Sequence, residues 1–424
     1  MKTLTLLVLL GVAAPAMAQK LSVPQLLEMA RRERDSPRFA EALTASLGAA
    51  EIKKGVAVLG EGPDFLWAVE SAAPPTLYVD DEPVANMIRL GSTNLWFHAG
   101  LLQTGTSHAF HYLTGDTRFG GRNDVAAFGP DSYAKPGVPQ GTLSDKLVHT
   151  SKIYDGMQSD YWIYVPAQYD PKIPAALMVW QDGSSFTQRD GASRLANVTD
   201  NVIHQKRVPV VIHVMINPGT IGERRLRSIQ YDTVSDRYPR YLRDEILPEV
   251  YARYNIRRDA YSRGIAGQSS GGICAFNAAW QQPDQFSRVL SRIGSFTSIQ
   301  WRFGQPNLAD NIEGGNVYPN KVRKETKRNM RVWLEDGSED LENDHGSWPL
   351  QNIQLANSLK LRGYDFRFSF GAGTHSTARG NAELPEALTW LWRDYDPAKA
   401  EQVYAMEAAE KAKPLFRVRI YNRE

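Results

Sequence analysis

The spacing of hydrophobic and polar positions changes several times along the chain, and each change predicts a different kind of structure. Lys2 precedes an unbroken apolar run from Leu4 to Val12, and Ala16-Met17-Ala18 has the small-x-small form of a signal peptidase site. This predicts a leader over residues 1–18 that is cleaved before Gln19; its apolar stretch is shorter than the ~20 residues a spanning helix needs. From Val23 to about Gly48 apolar residues recur at helical spacing, with Leu26, Leu27, Met29 and Ala30 on one face and Ser36-Pro37 able to start a second helix. Residues 19–54 are therefore expected to form a helical arm, in which the mixed-sign run Arg31 to Asp35 is a solvated face. Between Gly55 and Tyr133 the period falls to two, as in Phe65 to Val69, Thr76 to Val79 and Leu95 to His98, so residues 55–140 read as a small β-sandwich. Proline and glycine gather between Gly129 and Gly141, which suits a connection between domains.

Beyond Leu147 apolar strands alternate with helical stretches. Tyr161 to Val165, Ala176 to Trp180, Val208 to Val214, Ser262 to Gly267, Met330 to Leu334 and Phe366 to Phe370 read as strands. Tyr238 to Tyr254, a segment from about Ser270, and Glu383 to Trp392 read as helices. This alternation predicts an α/β domain over residues 141–397, built on a mostly parallel sheet, with ligands at the carboxyl ends of its strands. Residues 398–424 are expected to form a C-terminal helix and a tail that is strand-like from Leu415 to Tyr421.

Composition narrows the classes. The 424 residues suit more than one domain, and 42% apolar residues exclude disorder for most of the chain. With 49 basic and 47 acidic residues, a formal +2, there is no basic excess of the kind that nucleic-acid binding needs. Cys274 is the only cysteine, so neither an internal disulfide nor a multi-cysteine zinc site can form. His108 and His111 stand three apart on a strand and face opposite sides, which disfavours a shared metal. No metal, cofactor, nucleic-acid partner or stable membrane insertion is expected, and the oligomeric state is left open.

The chemistry concentrates at Gly267-Gln268-Ser269-Ser270-Gly271, a G-x-S-x-G turn between an expected strand and an expected helix. Such a turn holds a serine hydroxyl above the sheet and leaves the Ser270 N–H free to meet developing negative charge. A serine needs a base, and of the downstream histidines His375 lies in a glycine-containing loop directly after a strand, whereas His345 lies in a polar loop with no strand before it. The acid should follow the strand between them. The loop Glu335-Asp336-Gly337-Ser338-Glu339-Asp340 offers four carboxylates, with Asp340 preferred and Glu339 second. Trp180-Gln181-Asp182-Gly183-Ser184 ends an earlier strand and makes the N–H of Ser184, with Gly183 as the alternative, the second oxyanion donor. Cys274 is expected to be buried, and core packing accounts for Trp67, Trp96, Phe97 and Tyr112 more simply than stacking on sugars.

Residues from about Gly141 to Tyr395 resemble the esterase D family of α/β-hydrolases, which includes enterochelin, feruloyl and acetylxylan esterases and mycolyltransferases. The resemblance rests on Tyr161 to Pro166, Trp180 to Gly183, Arg227 with Tyr231-Asp232, Glu245 to Pro248, Gly267 to Gly272, Gly294-Ser295-Phe296, Gly337 through Asp340, and Gly373-Thr374-His375. Ser270 stands where many relatives have Met. The preceding segment is similar to the immunoglobulin-like or glycogen-binding-like sandwich found ahead of such domains. Together these imply an exported, periplasmic or secreted serine esterase acting on a small-molecule or polysaccharide ester, with Arg227, Tyr231 and Asp232 lining the pocket. Feruloyl or acetyl esters of carbohydrate are the expected substrates. The alternatives are a siderophore ester, acyl transfer on the same scaffold, and a non-catalytic carbohydrate-binding protein.

Overall fold

A computed structural model describes residues 20–300 and 314–418. The expected leader and part of the expected C-terminal tail lie outside the described residues. The described residues divide into two compact units: 20–102 with 109–122, and 103–108 with 123–300 and 314–418.

In the first unit the two expected helices occupy Val23–Glu33 and Pro37–Leu47, and a third spans Ala49–Lys54. Ser36 caps the second, its hydroxyl accepting the Phe39 N–H at 3.1 Å, with Pro37 at the first helical position. Val23, Leu26, Phe39 and Leu43 pack with Leu66 and Phe97 from the strands, so the helical segment shares the core of the sheets. Two four-stranded sheets follow. Ala57–Glu61, Asp64–Glu70, Leu95–Leu101 and Ile88–Arg89 lie side by side in one, and Glu82–Asn86, Thr76–Val79, Thr106–Thr114 and Thr117–Ala127 in the other. Trp67, Trp96, Phe97 and Tyr112 are all buried. His111 stacks on Tyr78, while His108, counted with the second unit, bonds the Gln103 carbonyl of that same unit.

The second unit is built on a sheet whose main strands are numbered here β1 (Gln158–Val165), β2 (Ala176–Gln181), β3 (Val211–Ile216), β4 (Arg263–Gln268), β5 (Arg288–Arg292), β6 (Arg331–Gly337) and β7 (Asp365–Gly371). Their spatial order is β1-β3-β2-β4-β5-β6-β7, with β1 antiparallel to β3 and every other neighbouring pair parallel. Strands buried on both faces need apolar side chains on both. In β2, Leu177 and Val179 join one core while Ala176, Met178 and Trp180 join the other; in β6, Val332 and Leu334 are parted from Trp333 in the same way. Helices α1 (Leu195–His204) and α4 (Leu384–Trp392) contribute to the second core, and α2 (Ser270–Gln281) and α3 (Trp348–Leu361) to the first.

Four expectations are corrected. The strand expected from Val208 starts at Val211, because Pro209 cannot donate to a ladder. The strand expected to end at Leu334 continues to Gly337, so Glu335 and Asp336 are buried within β6 rather than exposed in a loop. The C-terminal helix is confined to Ala408–Ala412, and the described part of the expected strand after it, residues 415–418, is irregular. Residues 419–421 of that strand lie outside the described residues. The segment expected as one helix from Tyr238 to Tyr254 runs as helical turns over Arg237–Tyr241 and Leu247–Tyr251, joined by a π turn at Leu242–Ile246.

Candidate active site

β4 ends at Gln268 and α2 begins at Ser270, so Ser269 alone makes the turn, at φ 56° and ψ −124°. Such a backbone costs of order 1–3 kcal/mol unless its surroundings impose it. Here they do: the Ser269 N–H donates to the Arg292 carbonyl at 3.0 Å, and its carbonyl accepts the N–H groups of Ser295 at 3.1 Å and Gly272 at 2.8 Å. The crossing of strand and helix is close enough that a Cβ on Gly267 would lie 2.1 Å from the Gly271 carbonyl oxygen, which is why glycine stands there.

The serine hydroxyl lies 2.8 Å from His375 Nε2, and His375 Nδ1 lies 2.6 Å from Asp340 Oδ1. Because Asp340 accepts at Nδ1, the neutral ring carries its hydrogen there and presents a bare Nε2 to the serine. Asp340 also accepts the Leu341 N–H at 2.5 Å. Burial pushes this carboxyl up, but the bonds from His375 and Leu341, with the Asp336 carboxyl beside it, outweigh that and hold Asp340 below the usual carboxylate range. Glu339 is exposed, and of the four carboxylates in this segment Asp340 is the one that meets the imidazole.

Two further residues, Ser295 and Trp348, complete the polarity of the serine. Trp348 Nε1 donates to Ser295 Oγ at 3.1 Å, and Ser295 Oγ lies 3.3 Å from Ser269 Oγ. An indole N–H can only donate. Ser295 therefore accepts from Trp348, and because the bare His375 Nε2 takes the Ser269 hydrogen, Ser295 is the donor in its bond to Ser269. The Trp348 ring also meets His375 edge to face, with centroids 5.7 Å apart. The loop that carries the histidine is tied at both sides. Glu339 N–H donates to the Gly373 carbonyl at 2.9 Å, and the Asp124 carboxylate accepts the Thr374 N–H at 3.0 Å together with the Thr374 hydroxyl. Asp124 has φ 57°. No local signal in the sequence marks Asp124, which reaches Thr374 across 250 positions.

The expected oxyanion donors fare differently. Ser270 is the first residue of α2, where a helix offers an N–H with no carbonyl one turn back. The Ser184 N–H instead donates to Asn217 Oδ1 at 2.9 Å, and would have to leave that partner to bind an oxyanion. The expected pocket residues also separate. Arg227 makes two 2.8 Å bonds to Asp182, and that pairing raises its pKa above the ordinary arginine value although burial works against the charge. Tyr231 is fully buried, edge to face with Tyr238 at 5.4 Å, beneath the Arg227 guanidinium. Asp232 is 1% exposed, and burial pushes its carboxyl up to about 6, although the hydroxyls of Ser270 and Ser228 and the charge of Arg227 offset part of this. Tyr231, at the end of the helical turn Arg227–Tyr231, joins the core, and Asp232 directly after it is buried, so neither presents its side chain at the surface of the cavity. Cys274 is buried, and burial pushes its thiol well up.

A cavity of about 520 Å³ adjoins Gln268, the residue before the serine, with Arg227 and Ser184 in its wall. Its other polar walls include Gln158, Asp160, Asn217 and Arg225. Among the described residues no three His, Cys, Asp or Glu side chains are grouped to hold a metal, and no helix is long and apolar enough to cross a membrane.

Residues 156–391 match the family model Esterase, described as "Putative esterase". The chain belongs to this esterase family. Among curated proteins it is similar to the iron(III) enterobactin esterase of Dickeya dadantii (strain 3937), 24% identical over 248 residues, which cover 58% of this chain. The match spans 54%, about half, of that relative's length. Among solved structures, the enterobactin esterase of Shigella flexneri crystallised in the presence of enterobactin is 16% identical, with a TM-score of 0.52 over 85% of this chain and 99% of that one. The ferric enterobactin esterase of Salmonella typhimurium gives 16% and 0.51 over 78% and 93%. These structures share the α/β-hydrolase fold with this member of the esterase family.

Proposed function

We propose that the protein is an exported serine carboxylic ester hydrolase that works through an acyl-enzyme on Ser269. The observation that carries this reading is the unbroken line of hydrogen bonds from Ser269 through His375 to Asp340. In the first half-reaction Ser269 Oγ adds to the ester carbonyl as its proton passes to His375 Nε2, and Asp340 stabilises the imidazolium. The oxyanion takes the Ser270 N–H. The tetrahedral species then collapses, the alcohol leaves with the proton from His375, and the acyl group stays on Ser269. Water repeats the sequence, delivering its proton to His375 and releasing the acid and the free serine.

The substrate reading is a feruloyl or acetyl ester of a carbohydrate. The cavity beside Gln268 supports it: its charged walls are Asp160 and Asp182 against Arg225 and Arg227, two of each sign, with amides and hydroxyls between them. Such a lining suits a neutral, hydroxyl-rich group better than a strongly anionic one. A siderophore lactone is the second reading, favoured by the name of the Dickeya relative. Comparing kcat/KM for a feruloyl sugar ester, acetylated xylan and a catecholate trilactone separates them, and strong preference for the trilactone would overturn the first. An added acceptor alcohol that diverts acyl groups into a new ester would mark a transferase. Export is tested by N-terminal sequencing, which should begin at Gln19.

A further inference from the structure

We propose that Asp336 is a protonated positioning residue, a carboxylic acid that donates its hydrogen to Asp340 and so fixes the carboxylate that orients His375. Asp336 is wholly buried within β6. Its Oδ1 accepts the Gly337 N–H at 2.9 Å, while its Oδ2 is buried with no conventional donor. Asp340 has the same asymmetry. Its Oδ1 accepts from His375 and Leu341, and its Oδ2 is buried without a donor. The two carboxyl groups lie within hydrogen-bond reach of each other. Two ionised carboxylates so placed, away from water, would repel and leave two oxygens unsatisfied. One proton between them removes both faults.

The proton belongs to Asp336. Asp340 is the member that faces an imidazole and takes two N–H bonds, which favour its charged form. Asp336 takes one, and burial followed by its bond to Asp340 and the charges of Asp340 and Glu335 raise its pKa well above the usual carboxylate range. The other charged groups at this strand end, Arg292, Arg379 and Glu383, face Glu335. The consequence for chemistry rests on the esterase reading given above. A donor on its far oxygen keeps Asp340 in one orientation and lowers its basicity, so that it accepts from His375 without taking the proton.

Infrared difference spectra of the full-length protein at neutral pH test where the proton is. The carbonyl band of a protonated carboxylic acid should be present in the wild type and in Ser269→Ala, and lost in part in Asp336→Asn. Glu335, pushed up to about 8 by burial, supplies a separate contribution that Glu335→Gln identifies. Because the spectrum does not depend on turnover, it decides the proton's place even if no ester is hydrolysed. Kinetics then test its use. The amide of Asp336→Asn can still donate, so kcat should stay within about threefold and the acidic limb of the kcat/KM profile should not move; Asp336→Ala should lower kcat about tenfold or more with KM little changed. An unaltered acid band in Asp336→Asn, or a downward shift of its acidic limb of about one pH unit, as loss of a negative charge beside His375 would produce, overturns the proposal.

Discussion

At Ser269 three neighbours decide where one proton points. Trp348 can only donate, Ser295 relays, and His375 offers a bare Nε2 because Asp340 holds its other nitrogen. Ser269→Ala and His375→Ala should each lower kcat by on the order of 10³ to 10⁶, Asp340→Asn somewhat less, and the double variants should lose little more than the singles, since the three act as a unit. Trp348→Phe keeps the ring against His375 but removes the N–H. Its kcat should fall about tenfold with KM nearly constant, the scale of one lost hydrogen bond. Asp232 gives a stability signature instead. Its carboxyl is raised from 3.8 to about 6, so the folded protein holds a proton that the unfolded chain releases first. The associated stability is complete below the unfolded value and is lost as pH climbs through 6, a change of roughly 3 kcal/mol. Urea unfolding across this window should show that decline in the wild type and a flatter course in Asp232→Asn.

At the scale of elements, the residues easiest to read from sequence were those whose local neighbours determine them. Ser269 is legible because the turn at its position demands glycines on either side, and a Cβ on Gly267 has nowhere to go. Gly267→Ala should therefore cost roughly 3 kcal/mol or more by forcing strand and helix apart, and thermal unfolding should reveal it before any assay does. The alternation of strands and helices was legible for the same reason, since β2 and β6 carry apolar side chains toward both cores. Elements ended in unexpected places where charge was buried. Glu335 and Asp336 resemble loop residues by composition, yet pairing with β7 carries the strand through them, Glu335 opposite Ser369 and Asp336 opposite Phe370. Tyr231 and Asp232 illustrate the converse. Polar residues beside a site suggest contact with a ligand, but Tyr231 at the end of a helical turn and Asp232 at its cap are both buried, and nothing in a single sequence distinguishes these directions.

Across the whole molecule the least legible contacts are those made between distant positions. Trp348 and Asp124 belong to no local motif, and they, like Ser295 within Gly294-Ser295-Phe296, acquire their roles only through partners brought close by the fold. The contacts also assign residues 123–140 to the second unit, where sequence composition had suggested a boundary near 141. Asp131, for example, pairs with Lys135 and Arg207, and Asn201 donates to the carbonyls of Asp131 and Tyr133. The bond between Asp124 and Thr374 bears on the timing of folding. Ser269 and Asp340 are positioned by strands β4 and β6 and their immediate loops, whereas the loop before His375 is clasped by a carboxylate from near the start of its unit. Closing a loop of this length is entropically slow compared with pairing neighbouring strands. A refolding chain should thus regain tryptophan burial before it regains ester turnover, and Asp124→Ala should widen that interval while leaving the burial phase unchanged. Stopped-flow fluorescence paired with activity sampling measures both, so a single carboxylate would make competence for chemistry the last property the molecule acquires.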